Sequence, residues 1–93
     1  MKRIILGSEG DYYLYLAPDD VAYNLKWHCH NYLKWLEKNN DSCELQFDET
    51  DFVAYMNEYN TDKDKIKLIM HIGFVNSNAD FPEEFRNYPK YIF

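Results

Sequence analysis

The stretch Asp19–Lys38, DDVAYNLKWHCHNYLKWLEK, decides the reading of this chain. Val21, Leu25, Cys29, Tyr32 and Leu36 recur at three- and four-residue spacing, as a helix with one face against a core requires. One amphipathic helix is expected over the whole stretch. Ala22, His28, Leu33 and Trp35 flank that stripe, and Lys26, His30, Lys34, Glu37 and Lys38 lie elsewhere. Tyr23 and Trp27 break the pattern, because they project two large aromatic rings from the polar face. Pro18 suits the first helical turn, and Asp19 and Asp20 complement the positive end of the helix dipole.

Upstream, Lys2–Leu6 is a short β-branched run and Asp11–Ala17 alternates tyrosine and leucine. Gly7-Ser8-Glu9-Gly10 lies between them, so a hairpin with a loop of about four residues is expected. Downstream, Cys43–Phe47 alternates as a half-buried strand. Asp48-Glu49-Thr50-Asp51 is helix-start chemistry, with Asp48 or Thr50 as cap. Phe52, Val53, Tyr55, Met56 and Tyr59 then form an apolar arc on a helix, with Asn57 and Glu58 outward. Lys65–Val75 reads as the strongest strand, with Ile66, Leu68, Met70, Ile72 and Phe74 on one face. Lys67, Ile69 and His71 fall on the other. Asp80 and Glu83 have capping-box spacing before a short helix that Pro89 ends, and Lys90–Phe93 is an apolar tail.

The expected fold is a two-layer α+β sandwich spanning residues 1–93 as a single domain. About four strands form a mixed sheet, with two main helices on one face. The order is β-β-α-β-α-β plus a short C-terminal helix. The aromatic tail is expected over the opposite sheet face, near Ile69 and His71. MKRIIL is too short an apolar run for a secretory signal, and no window of about 18 apolar residues exists to span a membrane. The cytoplasm is the expected compartment, with Cys29 and Cys43 reduced and partly buried.

The net charge of −6 is unevenly spread. Residues 40–64 carry eight acids and one base, and the segments on either side nearly balance. A phosphate backbone is repelled by such a segment, so direct nucleic-acid binding is not expected. A basic protein surface is steered toward it.

Adjacent His28, Cys29 and His30 invite a metal reading. On a helix, consecutive residues point about 100° apart, whereas ligands need three- or four-residue spacing. No metal, cofactor or catalytic residue is therefore expected. The paired acids Asp48 and Asp51 sit where caps belong, and no glycine loop carries the lysine of a phosphate site. What remains is charge and exposure. In size and charge alone the chain resembles small immunity proteins and antitoxins that neutralise cationic toxins of the nuclease type. A non-catalytic inhibitor of a basic protein partner is the expectation. Its binding residues would be Asp48, Glu49, Asp51, Tyr55, Glu58, Tyr59, Asp62 and Asp64, joined by Tyr23 and Trp27. Trp27 is either an interface anchor or covered by the tail. The alternatives are a small enzyme or ligand-binding domain, and a structural homo-oligomer such as a homodimer.

Overall fold

The computed structural model describes residues 1–39, 45–59, 65–75 and 81–93. Strands β1 (Lys2–Ser8) and β2 (Asp11–Ala17) pair antiparallel along their whole length, from Lys2↔Ala17 to Ser8↔Asp11. Their connection is tighter than four residues. Glu9 at φ 54° and Gly10 at φ 83° form a two-residue turn, since two successive positive φ values match the twist of a hairpin. Gly7 belongs to the strand. A Cβ there would lie 2.4 Å from the Asp11 carbonyl oxygen and 2.6 Å from the Tyr12 ring, so only glycine lets that ring lie across the hairpin.

Two further strands complete a mixed four-stranded sheet in the order β3-β2-β1-β4. Strand β3 (Lys67–Phe74) pairs antiparallel with β2, and β4 (Lys90–Ile92) pairs parallel with β1. Helices α1 (Asp19–Tyr23), α2 (Leu25–Asn39) and α3 (Glu49–Tyr59) lie against one face, α1 and α2 forming one main helix. A 3-10 turn (Glu83–Phe85) lies against the other. The fold is α+β, as the periodicities indicate.

The stripe read from the sequence faces the helix-side core. Val21, Leu25, Cys29, Tyr32 and Leu36 are buried with Ile4, Leu6, Tyr15, Phe52 and Met56. Each large apolar side chain so buried contributes about 1.5–3 kcal/mol. The helix is interrupted at Asn24 (φ −117°, ψ 32°), although Asn24 N–H still donates to Asp20 O and His28 N–H to Asn24 O. The Asn24 amide also donates to the Asp20 carbonyl, and such side-chain bonding to the backbone competes with regular helix geometry.

Four expectations are corrected. Leu45–Phe47, the described part of Cys43–Phe47, joins no strand; Cys43 itself lies outside the described residues. Gln46 N–H donates to the Asp51 carboxylate and its carbonyl accepts from the Tyr32 hydroxyl, so its backbone groups are taken by side chains. The tail instead supplies the fourth strand. Tyr91 and Phe93 pack on the helix side, and Phe81 and Phe85 cover the opposite face over Ile5, Tyr12 and Leu14. Asn57 does not simply face out: its amide accepts from Ile66 N–H and donates to Ile66 O, tying α3 to the approach to β3.

The last correction concerns β3. Tyr15 pairs with Leu68, Leu14 with Met70, Tyr13 with His71 and Tyr12 with Gly73. Ile69 and Ile72 are extra residues, two bulges that reset the alternation. Leu68 and His71 therefore share the helix side with Tyr15 and Tyr13, while Met70 shares the other side with Leu14.

Candidate protein-binding site

The aromatic residues of α2 and α3 form a connected ladder from core to surface. Tyr32 is fully buried, with its ring 4.9 Å from Tyr55 between centroids. Trp35 lies 4.8 Å from Tyr55 and 5.5 Å from Tyr59, and Tyr55 and Tyr59 are 5.3 Å apart. Such tilted pairs at 4.5–7 Å are favourable beyond their buried area, so the outer rings are held in place. Burial, with a smaller effect from Tyr59, raises the Tyr55 phenol above its ordinary value, keeping it a neutral hydrogen-bonding group.

Across from this ladder stands Trp27, 62% exposed, its ring edge-on to His28 at 4.9 Å. Trp27, His28, Asn31, Tyr55, Met56 and Tyr59 line one groove of about 290 Å³ between the two helices. On the far side of His28, Asp20, Asn24, Trp27 and His28 line a second depression of about 390 Å³. Asp20 accepts from the Asn24 amide at 3.1 Å and meets His28 Nε2 at 3.1 Å. The site thus combines exposed aromatic rings, amide groups and one surface carboxylate.

Of the residues expected to bind a partner, Trp27, Tyr55 and Tyr59 come together here. Tyr23 is 75% exposed but lines a different depression with Lys2, Arg3 and Tyr88. Neither Tyr23 nor Trp27 is covered by the tail, which runs beside β1 and meets α2 at His30 through Tyr91.

The acids disperse. Asp48 caps α3, accepting from Asp51 N–H at 2.8 Å, and Asp51 accepts from Gln46 N–H at 2.7 Å. Glu49 is buried at 8% exposure, its carboxyl turned inward, with Oε2 lacking a hydrogen-bond partner among the described residues. Glu58 is exposed one turn beyond Tyr55. Asp62 and Asp64 lie outside the described residues. Asp20, His28, Asn31 and Met56 were missed as site residues. The four-residue spacing of Asp20, Asn24 and His28 was the available signal.

His28, Cys29 and His30 diverge toward Asp20, the core and Tyr91. Among the described residues no three metal-ligating side chains converge. Burial pushes the Cys29 thiol far up, which keeps it protonated. No described helix is long and apolar enough to cross a membrane.

The fold and groove together define a small α+β domain with an exposed aromatic groove on its helix layer. No protein-family model matches the chain, and no curated protein or solved structure is significantly similar to it.

Proposed function

We propose that this protein is a non-catalytic binding protein that docks a basic protein partner on the α2–α3 groove. By class it is an immunity protein or antitoxin that neutralises a cationic, nuclease-type toxin. One observation carries the reading: Trp27 and Tyr59, 62% and 53% exposed, line the same groove, with Tyr59 at the outer end of the aromatic ladder. Tryptophan and tyrosine in such settings are the residues that dominate binding energy. The charge supports the sign of the partner. The chain carries −6 overall, and residues 40–64 alone carry −7. Long-range attraction speeds encounter with a basic surface, and the aromatic anchors then slow dissociation.

The test is capture of partners from the native host with the wild-type chain and with Trp27→Ala/Tyr59→Ala. The expected result is a basic protein held by the first and lost by the second, associating more slowly as salt is raised. An acidic partner, or equal capture by both, overturns the reading.

A further inference from the structure

Strand β3 is an edge of the sheet, and among the described residues no strand lies along its outer side. It is eight residues long and contains no proline. An edge of that length offers a row of backbone donors and acceptors to another strand. Its side chains are exposed on both faces: Leu68 59%, Ile69 44%, Met70 44% and Phe74 80%. Among the described strands β1 and β2 expose no large apolar side chain, and β4 exposes Ile92.

The bulges at Ile69 and Ile72 set the helix-side residues of the edge at equal spacing. Leu68 pairs across from Tyr15, His71 from Tyr13 and Phe74 from Asp11, so all three share the helix side at three-residue intervals. We propose that β3 is a homodimer interface, two copies pairing antiparallel about a two-fold axis at His71 to join their sheets into one of eight strands.

In that register Leu68 of each copy lies opposite Phe74 of the other, and Ile69 opposite Gly73. Lys67 lies opposite Val75, so no like charges are opposed along the flanks. The two His71 side chains meet at the axis, each beside its own Asp11 at 2.6 Å. Leu68 and Phe74 mirror each other about His71 on the helix side, so that face complements itself, as an isologous contact requires. A specific contact buries at least about 1,000 Å² in total, and the exposed Leu68, Ile69, Met70 and Phe74 of each copy are the apolar surface available to it. This interface uses a different element from the α2–α3 groove, so either proposal can fail without the other.

The test is the mass of the full chain by sedimentation at up to about 100 μM. The expected mass is twice 11.3 kDa. Leu68→Lys/Phe74→Lys and Leu68→Glu/Phe74→Glu should each be monomeric alone and dimeric when mixed, because opposite charges then face each other at both contacts. Should those variants not fold, His71→Cys in a Cys43→Ser background reads the same geometry, expected to cross-link as a disulfide dimer on mild oxidation. A wild-type mass of 11.3 kDa overturns the proposal. So does a wild-type dimer whose folded charge variants remain dimeric alone, or a His71→Cys variant that does not cross-link. Protection of the β3 amides only by a foreign chain assigns the edge to another strand and overturns it too.

Discussion

Asp20 and His28 meet at 3.1 Å across the interruption of the helix at Asn24. The same carboxylate accepts from the Asn24 side chain, so one acid ties together both sides of the break. His28 in turn packs against the Trp27 ring. The first prediction is that Asp20→Ala lowers stability by less than about 1 kcal/mol, since the carboxylate is largely exposed. Loosening Trp27 should nevertheless speed dissociation of a partner. Thermal melts and dissociation rates measured side by side check this, and a large drop in melting midpoint with unchanged binding contradicts it.

Trp27→Ala removes a ring that the fold hardly buries. Stability should change by no more than about 0.5 kcal/mol. Association should weaken by about 2 kcal/mol or more. Calorimetric unfolding of the isolated variant together with a binding titration separates the two quantities.

Substitution can separate the cap that Asp48 provides from its charge. Asp48→Ala should cost about 1 kcal/mol, because Asp51 N–H loses its acceptor at the start of α3. Asp48→Asn keeps an acceptor there and removes only charge. Chemical denaturation should show Asn close to wild type. If association rates are also unchanged for Asn, Asp48 is a cap and takes no part in steering.

Burial, aided by the charges of Glu49, Tyr13 and Asp48, raises the Tyr15 phenol from 10.0 to about 12. The folded state therefore holds this proton more tightly than the unfolded chain does. Its contribution to stability is complete below pH 10 and is lost as pH rises through 12. Denaturation midpoints should fall over that window, and Tyr15→Phe should flatten the fall. A curve identical for both proteins would remove Tyr15 as the cause.

Glu9 occupies a left-handed backbone position that glycine or asparagine adopts more readily. Glu9→Asn should stabilise the hairpin by about 0.5–1 kcal/mol. An unchanged or lower urea midpoint would show that the glutamate is held by something other than the turn.

Much of the fold was legible because periodicity is a strong signal over long stretches. Five stripe residues from Val21 to Leu36 turn inward, and Tyr23 and Trp27 stand out, as their spacing requires. The β3 faces were not legible, since a bulge inserts a residue without altering composition. Gly73 at φ 103° marks one of these irregularities only in retrospect. Lys90–Ile92 is too short to alternate, so its role in the sheet depends on β1 supplying the partner. At the site, Trp27 was visible as a misfit on a polar face. The grouping of Trp27 with Tyr55 and Tyr59 depends on how two helices pack, which neither helix encodes alone. Glu49 looked like a surface acid because its neighbours are acids, yet its position on α3 turns it inward.

The pairing of β1 with β4 sets the order in which the molecule can assemble. Ile5 lies beside Lys90, and Phe93 packs against Phe47 and Phe52 in the helix-side core. These contacts close almost the longest loop the chain contains, and such closure slows folding more than local contacts do. During synthesis the hairpin and the first helices can form early. The rim of the sheet beside β1 stays open until residues 90–93 have left the ribosome. A nascent chain held just short of that point would therefore leave all of β1 as the sheet edge, and release of those few residues covers Ile5–Gly7.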